Sequence, residues 1–358
     1  MKIRRRKAKI IKIGNVLIGG DNPIAIQSMA KTKTADIEMT VRQIKELEGI
    51  DAEIIRLAIK DSADAKALKF IKQRVNIPLV ADIHFDARLA LEAIDNGADK
   101  IRLNPGNIYK KDQILKIAKA AKNAHIPIRV GMNSGSLPAA RSQKPEARSV
   151  SGAMVKSALD YIKILEKSGF CDIVVSLKGS NILDTIEAYR KMAVVCDYPL
   201  HLGVTATGNL YPGLIKSSVA LSILLLEGIG DTIRISLTDK PKEEIKAAKS
   251  LLEAIGLRNF GPQIISCPTC GRCEVDLINI VKALEERLLT IDYRLWTRPM
   301  KLAVMGCVVN GPGEAREADI GVAFGKKEGL LFKKGKPIKK ISPDMCVDVL
   351  FKELFKEQ

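Results

Sequence analysis

The 358-residue chain is 46% hydrophobic and 28% charged, with a formal net charge of +17 and only 4% aromatic residues. This is a globular mixture, which excludes a disordered chain, and its length suggests two domains, although an α/β barrel can run to about 250 residues as one unit. No stretch reaches about 18 uninterrupted apolar residues, so no membrane span is expected, and so few aromatics make a poor base-stacking surface.

The first segment, MKIRRRKAKIIKIGN, is basic and lacks the apolar run and cleavage site of a signal peptide. A cytoplasmic protein is expected, in which thiols stay reduced. KIIKIGNVLIGG reads as a hairpin turning at Gly14-Asn15, suited to plug the bottom of the unit that follows. Eight short β-branched runs come next, at 24–28, 53–58, 78–83, 99–103, 127–132, 172–177, 201–205 and 232–237. Segments with helical spacing separate them, such as 38–49, 86–95 and 242–256. Eight βα units in strict order predict a closed (β/α)8 TIM barrel over residues 1–260. The polar stretch 134–149 after the fifth run is a long loop at the catalytic face. From residue 261 the alternation stops, and 261–358 read as a smaller α+β domain. It holds a cysteine cluster, a helix at 274–289, a strand at 301–306, the turn-rich NGPGEA, a hairpin and a last helix at 344–356. The one dense basic run is KKGKPIKK at 333–340.

Inside the barrel one pattern repeats: IRL at 55–57 and 101–103, IRV at 128–130, IRI at 233–235. Barrel interiors are filled by Val, Ile and Leu, and an isolated charge there is costly. Arg56, Arg102, Arg129 and Arg234 nevertheless fall near the C-terminal ends of strands, with Lys178 at a similar level in VVSLKGS. Asp82 is one carboxylate partner; the excess charge asks for an anion. Arginine's planar fork suits phosphate oxygens. Asn104, Asn107, Asn133, Ser136, Ser176, Ser180 and Ser236 are neutral donors near the same mouth. The expected ligand is a phosphate or diphosphate; nucleic acid needs an open groove. His84 follows the third strand at the catalytic face. His201, opening the seventh strand, is placed at the opposite end as a structural residue, and His125 in a turn is expected to be solvated.

SCPTCGRC at 266–273 concentrates three of seven cysteines, Cys267, Cys270 and Cys273. A zinc site needs four ligands, and no histidine follows His201, so Cys307 would have to complete it. A redox pair of Cys267 and Cys270 leaves Cys307 unused. An iron–sulfur cluster fits better: C-x2-C-x2-C with a distant cysteine resembles ferredoxin spacing. Cys307 ends a strand before a Gly-Pro-rich turn, with room for a large inorganic group. Cys346 is expected to pack in the last helix, and Cys171 and Cys196 to be buried small hydrophobes.

SCPTCGR, GCVVNGPGEA, GIGDTIRISL, RLNPGN and HLGVT together resemble the 4-hydroxy-3-methylbut-2-enyl diphosphate synthase family, over essentially the whole chain. The resemblance implies a [4Fe–4S] cluster held by Cys267, Cys270, Cys307 and Glu314, with Cys273 not a ligand. It implies reductive ring opening of 2-C-methyl-D-erythritol 2,4-cyclodiphosphate, with electrons from ferredoxin or flavodoxin. By motif, Arg56, Arg102, Arg129, Lys178 and Arg234 hold the substrate, Asn133 and Ser236 add hydrogen bonds, His84 is a lesser contact, and Asn310 reaches it near the cluster. A homodimer is implied, the small domain of one subunit closing over the barrel of the other. One position departs: HLGVTATG puts Ala206 where the family usually has a glutamate suspected of acid–base work. Two rivals stand beside this reading. One is a nucleic-acid-binding protein with a four-cysteine zinc module; the other is a phosphate-binding barrel joined to a purely structural cluster.

Overall fold

The computed structural model describes residues 3–137, 149–205, 207–288, 291 and 300–356. The chain divides into two compact units, Met1–Arg258 and Asn259–Gln358.

The first unit opens with a hairpin, β1 (Ile11–Ile13) and β2 (Val16–Ile18), paired antiparallel around Gly14 in the left-handed region. Ile11, Ile13 and Ile18 are buried against Ala25, Ile54, Val80 and Val174, in the early parts of the barrel strands. The hairpin therefore stoppers the N-terminal end. The expected strands follow as β3 (Ala25–Met29), β4 (Ile54–Ile59), β5 (Leu79–Ile83), β6 (Lys100–Leu103), β7 (Ile128–Asn133), β8 (Ile173–Lys178), β9 (His201–Leu202) and β10 (Thr232–Ile233). They form one parallel sheet in the order β8-β7-β6-β5-β4-β3-β10-β9, and a bridge between Val175 and Leu200 closes the ring. β9 and β10 are shorter than the sequence runs. Beyond them the Thr205 N–H turns to Gly179 O at 3.3 Å and the Leu237 N–H to the Glu244 carboxylate at 3.1 Å, so the chain leaves the ladder.

Eight helices wrap the ring: α1 (Ile37–Glu48), α2 (Ser62–Lys72), α3 (Ala87–Asp95), α4 (Lys111–Asn123), α5 (Val150–Lys167), α6 (Ile182–Val195), α7 (Leu210–Leu226) and α8 (Pro241–Ala254). Asp36, Asp61, Asp86, Ser149 and Asn181 cap five of them through side-chain oxygens, satisfying donors a helix start leaves free. Most of the polar stretch at 134–149 lies outside the described residues; its first part, Ser134–Ser136, is a 3-10 turn.

In the second unit β11 (Gln263–Ser266), β12 (Lys301–Met305), β13 (Ile320–Phe324), β14 (Gly329–Lys333) and β15 (Lys336–Ile341) form one sheet in chain order. The first three run parallel and the last two antiparallel. Side chains alternate between the faces, as strands require. Leu302 and Val304 pack with α9 (Leu277–Leu288) and α11 (Cys346–Phe355); Ala303 and Met305 pack with Ala315 of α10 (Gly311–Glu317). Two expectations change. β11 was not foreseen, and GPGEARE is a helix instead of a turn. Pro312 is tolerated in a first turn, and burial of Gly311 and Ala315 on the sheet outweighs weak propensity. The KKGKPIKK run spans the end of β14, a turn at Lys334-Gly335 and most of the exposed edge strand β15, where lysines and a proline discourage pairing with another chain. Cys346 is buried as expected, but Cys171 is exposed and Cys196 half-buried, because both lie at element ends instead of core-facing positions.

Candidate active site

Strand register builds the barrel site. Asp82, Arg102 and Arg129 are successive partners across β5, β6 and β7, so their side chains share one layer. Arg56 comes from β4, Lys178 ends β8 beside Asn133, and Arg234 follows β10. The five cations line one cavity of about 380 Å³ with Met29, Asp82, His84, Asn133, Ser176, Thr205, Thr207 and Ser236. Of the expected substrate contacts, Arg56, His84, Arg102, Arg129, Asn133, Lys178, Arg234 and Ser236 meet there; Asn310 lies in the second unit and does not line it. Asn104, Asn107, Ser136 and Ser180 do not line it; the Asn104 amide donates to Ser136 Oγ at 3.0 Å. Ala206 lies outside the described residues.

Asp82 organises the layer. Arg102 Nη1 donates to its Oδ1 at 3.1 Å, Arg56 Nε lies 3.6 Å from Oδ2, and His84 Nε2 lies 3.4 Å from the same oxygen. Burial alone raises the Asp82 carboxyl, but Arg56, the His84 hydrogen bond, Arg102 and Arg129 outweigh it and hold it well below the usual range. Arg102 Nη2 also donates to Gly131 O at 2.9 Å. A Cβ at Gly131 would sit 2.6 Å from Arg102 Nε, so glycine is what lets this side chain cross β7.

Sequence reading missed the second acid. Glu244 enters from α8, is buried, and lies 3.4 Å from Arg234 Nη2, with Ser28 Oγ donating to it at 3.2 Å. Its place in a helix pattern gave no sign that it faced inward. Burial lowers the Arg234 guanidinium to about 10, with Arg56 adding repulsion and Glu244 opposing it. His201 was also misplaced: its Nε2 is 3.2 Å from Lys178 Nζ, directly behind the pocket. His125 is exposed, as expected.

Two acids do not satisfy these cations. Arg102 Nε, Arg129 Nε and Nη1, and Arg234 Nε are buried without a hydrogen-bond partner. Buried donors are normally paired, so a pocket with four orphaned guanidinium nitrogens is shaped for an oxyanion.

The cysteines gather at one end of the second sheet. Cys267 follows β11, and Cys307 lies two residues beyond β12, its parallel neighbour. Gly306 N donates to Cys267 Sγ at 3.4 Å. The Val309 N–H lowers the Cys307 thiol, and the Asn310 N–H and Arg272 reinforce it against burial. That favours thiolate, the form an iron–sulfur cluster binds. Thr269, between Cys267 and Cys270, is held at φ 62°, a strained conformation for a β-branched residue. Asn310 and Glu314 are exposed at the start of α10. Cys273 differs: its Sγ donates to Val275 O at 3.3 Å and packs on the core under α9. Among the described residues, no three His, Cys, Asp or Glu side chains are drawn together closely enough to hold a metal ion as they stand. The donor chemistry, three cysteines and a carboxylate, fits an iron–sulfur cluster.

The described residues contain no helix long and apolar enough to cross a membrane. In solved structures, dihydropteroate synthase from Yersinia pestis superposes with a TM-score of 0.52 at 13% identity, covering 68% of this chain and 98% of that one. The Stenotrophomonas maltophilia enzyme gives 0.53 at 12%, covering 70% and 100%. At that identity they show the barrel fold alone. A family model described as the GcpE TIM-barrel domain matches residues 8–249, and one described as the GcpE protein C-terminal domain matches 263–356. A Fusobacterium nucleatum subsp. nucleatum protein named 4-hydroxy-3-methylbut-2-en-1-yl diphosphate synthase (flavodoxin) is 51% identical over 347 residues, 97% of this chain and 96% of its own. The protein of that name from Caldicellulosiruptor saccharolyticus is 53% identical over 347 residues, 97% and 98% of the two chains. Matched in order through both units, and about half identical to full-length synthases, the chain belongs to the GcpE family of 4-hydroxy-3-methylbut-2-en-1-yl diphosphate synthases.

Proposed function

We propose that this chain catalyses the two-electron reductive ring opening of 2-C-methyl-D-erythritol 2,4-cyclodiphosphate to 4-hydroxy-3-methylbut-2-enyl diphosphate, a step in isoprenoid precursor biosynthesis. The observation that carries the reading is the excess of cations, Arg56, Arg102, Arg129, Lys178 and Arg234 against Asp82 and Glu244, around a cavity of about 380 Å³. Arg56, Arg102, Arg129, Lys178 and Arg234 hold the diphosphate, Asn133 and Ser236 add neutral hydrogen bonds, and His84 faces the same space while pinned to Asp82. Cys267, Cys270, Cys307 and Glu314 are the ligands of a [4Fe–4S] cluster, with Asn310 a substrate contact beside it. When bound, that cluster would relay the carrier's electrons one at a time and supply a Lewis-acidic iron. Glu314, a weaker ligand to iron than a thiolate, would hold the iron that cysteine leaves free.

Flavodoxin or ferredoxin is the electron donor; the relatives' names specify flavodoxin. A chain of net charge +17 attracts such acidic carriers. We read the working form as a cytoplasmic homodimer. Tyr211, Ile215, Val219 and Leu226 leave an exposed apolar stripe along α7, the kind of surface a second copy covers. The nucleic-acid alternative draws no support: the relatives are named as synthases, and most of KKGKPIKK lies in an edge strand.

The test is anaerobic purification with iron, sulfide and zinc analysis, followed by electron paramagnetic resonance with and without the cyclodiphosphate and a reductant. Near four irons and four sulfides per chain, a spectrum altered by substrate, and formation of the open-chain diphosphate are expected. Zinc without iron would sink the reading, and an iron–sulfur cluster indifferent to substrate would leave only the structural-cluster rival.

A further inference from the structure

Lys178 has a setting unlike the arginines around it. Its Nζ lies in the pocket wall, 6% of the residue is exposed, and its near partner is an imidazole. His201 Nε2 is 3.2 Å away, and His201 Nδ1 is 2.7 Å from Thr232 Oγ1. Tyr189 Oη donates to His201 O at 2.6 Å and fixes that stretch of backbone. A Cβ at Gly203 would lie 2.7 Å from Lys178 Nζ, so the glycine keeps the amine's berth open. In the tautomer that carries its proton on Nδ1 and donates it to Thr232 Oγ1, Nε2 is an acceptor. It accepts from an amine or an ammonium equally, so one hydrogen bond serves both protonation states.

The charges facing Lys178 are Arg56 on β4, Arg102 on β6, Arg129 on β7 and Arg234 after β10, with His201 on β9 behind it and Lys100 on β6 acting on His201. The acids are engaged elsewhere: Asp82 by Arg102, Arg56 and His84, and Glu244 by Arg234 and Lys31. Among the described residues Lys178 forms no ion pair; its near partner is His201. Arginine keeps its proton in proteins, so the cation that yields to crowding is lysine. Burial, followed by Arg56, Arg129, Arg234 and Arg102, presses its ammonium well below the ordinary range. A diphosphate entering the ring offsets the excess positive charge of the arginines, and the amine regains its proton.

We propose that binding of the cyclic diphosphate is coupled to uptake of one proton at Lys178, with His201 as the positioning residue that holds the amine in both states. This rests on the pocket being the cyclodiphosphate site. The proton moves from solvent to Nζ, and no other bond changes. The uptake matches the reaction's balance. A ring C–O bond and the C–OH bond break, a C=C bond forms with two electrons from reduced flavodoxin or ferredoxin, and the departing hydroxide takes one proton to leave as water. Each substrate therefore enters accompanied by the proton its turnover consumes.

The experiment is titration calorimetry of the anaerobic holoenzyme with the cyclodiphosphate, in two buffers of different ionisation enthalpy, at about pH 8, where an ordinary lysine is fully charged. The ligand's two phosphodiesters do not titrate there, so uptake reports the protein. Wild type should take up about one proton per ligand. Lys178→Arg, permanently charged, should bind without uptake. His201→Ala should weaken binding about tenfold and displace the pH profile of Kd, and His201→Gln, which restores an acceptor, should recover both. Binding by wild type with no proton uptake, or uptake retained in Lys178→Arg, overturns the proposal. No binding by wild type instead overturns the assignment of the pocket.

Discussion

Arg102 Nη1 donates to Asp82 Oδ1 at 3.1 Å in the barrel's central layer, both side chains about 5% exposed or less. That carboxylate also faces Arg56 and His84, so removing it leaves several cations unopposed. Breaking a buried pair from one side costs about 3–5 kcal/mol, and Asp82→Asn should lose about that much in urea unfolding. The pH dependence follows from the depressed Asp82 carboxyl. Its stabilisation is complete above the unfolded value of about 4 and is lost as pH falls from there toward its lowered folded value. Wild type should lose stability over that acid interval, and the variant's curve should be flatter there.

Arg129 carries the opposite expectation. It is 1% exposed, and its Nε and Nη1 lack partners. Replacing a buried, poorly paired charge with an apolar side chain is often stabilising by about 1–4 kcal/mol. Arg129→Met should therefore melt higher than wild type in the free state. Without a charge-assisted fork on the diphosphate it should bind the cyclodiphosphate about a hundredfold more weakly. A melting shift and a calorimetric Kd on the same preparation check both halves.

Gly131→Ala tests the close approach of Arg102. The new Cβ would lie 2.6 Å from Nε, so the guanidinium must move while the strand stays paired. Small displacements of a positioning group cost up to about a hundredfold in rate. We expect kcat/KM to fall by ten- to a hundredfold with an unchanged far-ultraviolet circular dichroism spectrum.

In the second unit the substitutions separate ligands from packing. Serine at Cys267, Cys270 or Cys307 should abolish most iron content. Cys273→Ser should retain iron and lose about 1 kcal/mol of stability, because its thiol sits on the core and donates to Val275 O. Glu314→Ala should keep most of its iron but lose turnover. Wild-type turnover in that variant would favour a structural cluster.

Charge steering predicts that the KM for flavodoxin rises with ionic strength between about 50 and 500 mM salt, while the KM for substrate, bound deep in the barrel, changes less. Steady-state kinetics at constant pH separate the two.

The barrel was legible because its strands and helices alternate with distinct periods. The arginines were legible because a charge within an Ile-Arg-Leu run conflicts with a barrel interior. Glu244 and His201 were not. One is an acid within a helix, where surface acids abound; the other opens a strand whose depth depends on how far Lys178 reaches back. β11 was too short and too weakly buried to stand out beside the cysteines. GPGEARE read as a turn because glycine and proline dominate local propensity, whereas its burial on β12 and β13 is a tertiary effect.

The stopper made by Ile11, Ile13 and Ile18 bears on kinetics as well as on packing. With its interior packed by side chains and its base capped by the hairpin, the barrel opens its pocket toward the C-terminal ends of the strands. The linear diphosphate must back out along the path its cyclic precursor used before another molecule can enter. Turnover then carries a built-in traffic rule: product and substrate contend for the same empty vestibule, and accumulated product should act as a purely competitive inhibitor.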